Sequence, residues 1–523
     1  MALKKLGIAL VAGVLPALLL AGAALLLFER KSFSTSGEAN PPEIALAPLP
    51  PEASAGDVRR FCIACHAVPD PDTFPRAHWR KEIAQGYDFL RESALALDYP
   101  SLESVVRYYE SRAPLELPFI VPQKSAHALA VQFKQAAFKS PDQTVAPAIS
   151  NVNLVHLYDK RRLDILACDM RSDRVMVLSP YDPAPAWKTL AQLPSPAHAE
   201  VVDLDGDGIL DIVVACLGNF TPTDGRLGSV VWLRGAADGS FTPITLLSGV
   251  GRVADVQAAD FNGDGKLDLI VAVFGWRNTG EITYLENRTT NWAQPVFVPH
   301  VLDDRHGTIH VPVCDLNGDG RPDFVALISQ EHETIVAFLN EGHGKFRKET
   351  IYAAPHPAYG SSGIQLVDLN GDGKLDVLYS NGDVMDRPFL FKPYHGIQWL
   401  ENKGKFPFEH HPLGTMYGVA RAVAADIQGK GKLDIIGVSW LPEDNFPERK
   451  EKNVDAVLLL EQTAPGKFER HVLESRTCDH MTCAVGDLYG NGRMDFVTGN
   501  FYSSSKNPEL DAVQIWQNRG PAR

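Results

Sequence analysis

The sequence predicts a mainly β fold, a seven-bladed β-propeller over residues 123–523, preceded by a small all-α segment and an N-terminal membrane helix. Two observations predict the propeller. A nine-residue unit, DLDGDGILD at 203–211, returns as DFNGDGKLD at 260–268, DLNGDGRPD at 315–323, DLNGDGKLD at 368–376, DIQGKGKLD at 426–434 and DLYGNGRMD at 487–495, with a fainter copy, HLYDKRRLD, at 156–164. The seven copies begin 47 to 61 residues apart. Each also sits between strand signals. Around the copy at 203–211, 201–204 leads in, LDIVVAC at 210–216 leads out with the β-branched content of a buried strand, and 228–233 and 241–247 give a third and fourth run. Four short strands per unit, repeated seven times, is the pattern of propeller blades rather than of a helical solenoid.

The repeated unit is built for a hard cation. Oxygen side chains stand at its first, third, fifth and ninth positions: Asp203, Asp205, Asp207 and Asp211; Asp260, Asn262, Asp264 and Asp268; Asp315, Asn317, Asp319 and Asp323; Asp368, Asn370, Asp372 and Asp376. Calcium takes 6–8 oxygens at about 2.3–2.6 Å, and glycines at the fourth and sixth positions let the backbone turn sharply enough to aim alternate side chains inward. A polar Asp-Gly turn accounts for one such pair, not for four carboxylate-rich copies at fixed spacing. About four calcium ions are therefore expected. Lys430 puts a cation in a ligand place, Tyr489 and Asn491 dilute the charge of the last copy, and Lys160 and Arg161 interrupt the faintest, so these three are expected to be plain turns. The units resemble FG-GAP/VCBS repeats, the calcium-loop blades also found in the propeller heads of integrin alpha chains; the resemblance covers roughly residues 125–523.

Taken from the start, the chain opens with Lys4 and Lys5, an uncharged apolar run of 23 residues at 6–28, and then Glu29, Arg30 and Lys31. A signal-peptide core is about 7–15 residues long and a spanning helix about 20. Residues 1–32 thus read as a membrane anchor, with Ala21-Gly22-Ala23 leaving a cleavable signal segment open. Either reading exports the rest, to the periplasmic or extracytoplasmic side, with the short N-terminal end inside. Residues 33–56, rich in proline, read as a semi-rigid linker.

Cys62, Cys65 and His66 form a C-x-x-C-H motif. That spacing lets two thiols add to haem vinyl groups while the adjoining imidazole reaches the iron. A zinc half-site would want two more ligands nearby, and the next cysteine is Cys168; a thioredoxin pair would want a βαβ pattern. Amphipathic patterns at 77–90 and 101–112 flank the motif. The segment 57–113 resembles a small cytochrome c domain, and 114–122 reads as its hinge to the propeller. In the subgroup it resembles, a methionine about seven residues past the tryptophan ligates the iron. Here Gly86 and Tyr87 follow Trp79 at that distance, and no methionine occurs between His66 and Met170. The haem is expected to lack methionine ligation, five-coordinate or His-ligated, unless His78, His127, Met416 or Met481 folds over it.

The composition, 45% hydrophobic and 22% charged, is that of a globular protein, and the net charge of −14 argues against nucleic acid as a partner. Cys168, Cys216 and Cys314 lie on or beside strand signals as small hydrophobes, whereas Cys478 and Cys483 are close enough in sequence to form a local disulfide, a matter cysteine counting leaves open.

Five residues before each loop stand Asn151, His198, Asp255, His310, Gly363, Arg421 and Thr482, one per blade on the expected innermost strand. Polar, water-filled channels are common in propellers. The functional reading is a ligand or catalytic site made of His198, Asp255, His310 and Arg421, with His306, Tyr359, Tyr417 and His480 at its rim. Three functions stay open: electron transfer by an anchored c-type cytochrome whose propeller is a docking or substrate platform, with a redox partner protein or small-molecule reductant; a redox enzyme oxidising a small molecule in the channel; and an integrin-like binding module with a redox-sensing haem.

Overall fold

The computed structural model describes residues 49–521, apart from 65, 93–97, 386, 388 and 505–509. The expected membrane segment 1–32, most of the linker 33–56, and Cys65 lie outside the described residues. Among the described residues, no helix is long and apolar enough to cross a membrane.

Among the described residues, three α-helices come first. Ser54 caps α1 (Ala55–Cys62) by accepting from the Asp57 N–H at 3.1 Å, and Asp57 puts an acid in the first turn, where the helix dipole favours it. In α2 (Arg76–Glu92) the buried residues Trp79, Ile83, Tyr87 and Leu90 recur at helical spacing and make one apolar stripe. Ser101 caps α3 (Leu102–Glu110), whose Val105, Val106 and Tyr109 are fully buried. The stripes meet in one small core where the Trp79 ring stacks on Tyr109 with centroids 3.9 Å apart.

The remainder is a seven-bladed propeller: seven antiparallel four-stranded sheets, six of them with their strands in sequence order. In blade four the innermost strand is broken into Thr308–His310 and Val313–Cys314, because Pro312 has no N–H to give to the ladder. The second strand of every blade, such as Asp211–Cys216, is buried along its whole length, as a sheet covered on both faces requires. Each of the seven junctions between neighbouring blades is filled by its own apolar cluster. Val213, Trp232 and Leu285, for example, join blades two and three, each such side chain contributing roughly 1.5–3 kcal/mol of burial.

The last blade lacks an outer strand of its own, and Val131–Lys139 supplies it, pairing antiparallel with Asp511–Pro521. Closure leaves no open propeller edge, and the strand lies within one or two residues of 129–138, the segment the sequence pattern offers for this role. Residues 114–122 are docked: Phe119 stacks on Tyr417 with centroids 4.9 Å apart, Tyr417 Oη accepts from the Ile120 N–H at 2.6 Å, and Arg76 N donates to Pro114 O at 2.7 Å. Aromatic side chains flanking the prolines find partners that local sequence does not reveal.

Candidate functional site

The strand order fixes two faces. Every nine-residue loop joins the first to the second strand of its blade, so all lie at one end of the ring. The helices pack at the other end: Ala358 and Leu390, in connections of blades four and five, join the helical core, and Arg277 of blade three lies over the Phe89 ring at 4.9 Å.

In each intact loop the first aspartate is held by the loop's own backbone. Asp203 accepts from Asp207 N and Gly208 N at 3.1 and 3.0 Å, and Asp260, Asp315 and Asp368 do the same. The two glycines take positive φ, 70° at Gly206 and 85° at Gly208, which aims the odd-numbered side chains inward. Carboxylate oxygens of Asp203, Asp205 and Asp211 lie within 4.8 Å of one another. The ninth aspartate has a second duty that the sequence does not show. It opens the buried strand and accepts N–H groups from that strand's neighbour, Gly235 N to Asp211 at 2.7 Å and Asn287 N to Asp268 at 2.7 Å. Burial pushes the Asp268 carboxyl up to about 6, and the Asp264 charge adds to the effect; a bound cation would remove that penalty.

The worn copies keep the turn but replace or dilute its carboxylates. Asp426 and Asp487 still accept from the fifth and sixth N–H groups, but Lys430 Nζ donates to Gln428 at 2.7 Å, within the loop. In the faintest copy Arg162 donates to Asp159 at 2.7 Å and closes the loop on itself.

At the opposite end, the seven residues of the expected ring share one backbone feature. In every innermost strand a β-bulge falls immediately before the ring position, and Asn151, His198, Asp255, His310, Gly363, Arg421 and Thr482 are the first residues back in register. A bulge re-aims the side chain that follows it. Four of the seven converge, from blades two, three, four and six. His198 Nε2 is 3.4 Å from Asp255 Oδ1, His310 Nδ1 is 3.8 Å from Asp255 Oδ2, and Arg421 Nη1 donates to His310 Nε2 at 3.2 Å. Arginine can only donate, so His310 carries its proton on Nδ1, toward Asp255. Gly363, the ring residue of blade five, makes the reach possible: a Cβ there would lie 3.2 Å from Arg421 Cδ and 3.0 Å from Ser380 Oγ.

Glu200 and Gln257 complete the network and were missed by the sequence reading. Glu200 Oε2 is 3.4 Å from His198 Nε2, and Gln257 Nε2 donates to Asp255 Oδ1 at 3.2 Å. Both stand two residues past a ring position, where strand alternation returns a side chain to the same face, a signal the sequence did hold. Burial works against ionising Asp255, yet His198 and His310 outweigh it and hold the carboxyl well below its usual range. For His198, burial opposes the charge and Asp255 and Glu200 outweigh it, so its affinity for a proton is raised; burial, helped by Arg421, lowers that of His310. The result is a carboxylate between an imidazole whose affinity for a proton is raised and one whose affinity is lowered, with a guanidinium beyond.

The expected rim is otherwise engaged. Tyr359 packs in the core between blades four and five, Tyr417 holds the docked segment, and buried His480 lies 2.7 Å from Asn500 Oδ1. His306 lies 3.0 Å from Glu331 Oε2. Cys478 and Cys483 are free, buried thiols and form no disulfide; Cys478 Sγ lies 3.7 Å from Asp455 O and Cys483 packs between blades six and seven.

In the helical segment Cys62 ends α1, is 7% exposed and lies with its sulfur 3.9 Å from Tyr109 Oη. The His66 N–H reaches Cys62 O at 3.2 Å, so the two side chains sit one turn apart. Met416 and Met481 belong to propeller clusters and His127 is exposed beyond the helices, so none of these three joins the helical core.

Against known families, the FG-GAP-like repeat matches residues 203–271 and 315–379. The fold and that match together define the class: an FG-GAP-like-repeat, seven-bladed β-propeller with a small helical region before it. Cartilage acidic protein 1 of Xenopus tropicalis is 25% identical over 198 residues, covering 34% of this chain; the chain spans 29% of that curated relative's length. Among solved structures, the crystal structures of BBS1N in complex with ARL6DN, soaked with mercury and with lead, align with TM-scores of 0.44 and 0.42 at 10% identity, covering 76% of this chain and 100% of those chains. The family match lies within the propeller and does not reach residues 57–122.

Proposed function

We propose that this chain is an exported, membrane-anchored electron-transfer protein, with one c-type haem on its helical segment and a calcium-stabilised propeller as its docking or substrate-binding platform. The observation that carries the reading is the Cys62–His66 turn at the end of α1, packed beneath Tyr109 of α3. The donor set fits the group: two thiols for covalent attachment, counting Cys65, and an imidazole one turn away. At Gly86, where the resembled subgroup has its methionine, nothing stands within 4 Å of a Cβ position. A haem held there supplies a one-electron centre; the chain's own part is to hold it by Cys62, Cys65 and His66 and to present it on the face away from the calcium loops. Without thioether ligation its potential should lie below that of His/Met cytochromes. The calcium part rests on the converging oxygens of Asp203, Asp205 and Asp211 and on the same backbone-held first aspartate in the other three intact loops.

A second reading has its own support. The Asp255–His198 pair beside Arg421 is suited to binding a small anion or polar molecule and taking a proton from it, and the helices pack at that same end of the ring. The two readings part on one experiment: the purified ferric protein is challenged with small-molecule reductants. Reduction that Arg421→Ala abolishes, with haem spectrum and stability unchanged, favours the enzyme; reduction by protein partners alone favours electron transfer.

A further inference from the structure

We propose that His306, Glu331 and His332 form a binding site for a single zinc-class divalent cation, separate from the calcium loops and at the opposite end of the propeller. His306 lies in the connection entering blade four, and Glu331 and His332 in the turn between its second and third strands, Asp323–Ile328 and Thr334–Gly342. One metal-ligating atom from each falls within 4.8 Å of the other two. His306 Nε2 is 3.0 Å from Glu331 Oε2, and His332 Nε2 is 3.9 Å from Glu331 Oε1. Ligands at about 2.0–2.1 Å from a tetrahedral zinc stand about 3.4 Å from one another, so the three atoms already bracket the required spacing.

Three further observations favour a cation over a simple ion pair. His332 Nε2 is buried and has no hydrogen-bond partner, although it points at the carboxylate. The two segments are stapled together, since Gly307 O accepts from both the N–H and the hydroxyl of Ser329 at 2.8 Å, so the geometry is set by backbone rather than by the side chains' attraction. Among the described residues no lysine or arginine pairs with Glu331: neighbouring Arg305 is committed to Asp303 through two contacts of 2.9 Å. The contrast is the other mixed cluster, Glu401, Glu409 and His411 in blade five, where Lys403 Nζ donates to Glu401 at 2.6 Å and fills that role. Two imidazoles and one carboxylate suit zinc and its first-row neighbours rather than calcium, which takes oxygen. Three protein ligands leave a fourth position for water or an added ligand, and the side-chain exposures of 16%, 20% and 39% for His306, His332 and Glu331 leave the site reachable from solvent.

The test is zinc uptake by the full-length, calcium-saturated protein, read by competition with a chromophoric chelator and by elemental analysis after dialysis. The wild type should bind one zinc per chain, and His306→Ala and His332→Ala should each weaken binding by about tenfold or more, while Lys403→Ala leaves it unchanged. Each variant's thermal midpoint in calcium checks that the blade is intact; if one variant unfolds, the milder Glu331→Gln carries the test. No stoichiometric zinc on the wild type, or the same uptake by a folded His306→Ala/His332→Ala double variant, would overturn the proposal.

Discussion

Arg421 of blade six reaches across the bare backbone of Gly363 in blade five to place its Nη1 3.2 Å from Nε2 of His310 in blade four. Three blades thus meet through one side chain, and the absence of another is what admits it. Because burial and Arg421 together hold the His310 imidazole neutral, Arg421→Met should raise the His310 pKa. An NMR titration of the ring carbons checks this, and an unchanged value would mean that the guanidinium is too hydrated to matter.

Gly363 gives a companion prediction. A Cβ at 3.2 Å from Arg421 Cδ and 3.0 Å from Ser380 Oγ forces the arginine aside, so Gly363→Val should cost about 1–3 kcal/mol of stability and break the contact with His310. Gly363→Val in the Arg421→Ala background should be milder, and equal losses in both backgrounds would show that the two do not couple.

Calcium removal should lower the thermal midpoint by a large margin, because it leaves three or four carboxylates in each intact loop facing one another. Basic side chains offset part of this in three loops, where half-buried Arg234 pairs with buried Asp205, and exposed Arg321 and Lys374 pair with Asp319 and Asp372, the two exposed pairs being worth about 1 kcal/mol or less each. No such pair is formed at Asp264 among the described residues. Asp264→Ala should therefore shift the calcium-dependent part of melting more than Lys430→Ala, and a melting curve unmoved by chelator would reduce the loops to turns.

Acid should destabilise the fold through His356. Burial, with Lys392 nearby, pushes its pKa down to about 4 from 6.5. The unfolded chain then binds more protons than the folded one between those values, so stability is full above about pH 6.5 and is lost as pH falls toward 4, by on the order of 3 kcal/mol. Urea unfolding at pH 7 and pH 5 measures it. His356→Phe should flatten the difference, and an unaltered pH slope would clear His356 of the effect.

Ring closure predicts that the outer edge of Asp511–Pro521 depends on Val131–Lys139. Deleting residues up to 139 exposes that edge and should produce dimers or aggregates by light scattering. A monomeric truncated chain of unchanged melting temperature would contradict it.

How much of this was legible in the sequence depends on where each signal lives. Asp203–Gly206–Gly208 and its copies announced the blades because aspartate and glycine at fixed spacing serve few other purposes, and the missing fourth strand of the last blade pointed to residues 129–138, against 131–139 in the structure. The ring position was legible as a register, yet the bulge that aims it and the gap at Gly363 belong to contacts between blades, which local pattern does not encode. His306 and His332 lie 26 positions apart on two connections and meet only once blade four has folded. The docking of Phe119 on Tyr417, nearly 300 residues on in the chain, was hidden for the same reason.

Intact mass with a denaturing haem stain on the full-length protein decides whether the chain carries haem. One covalently held haem per chain is expected on the wild type and none on Cys62→Ala/Cys65→Ala, with no iron–methionine charge-transfer band in the ferric spectrum. A wild-type protein produced with the attachment machinery and still of unmodified mass would contradict it.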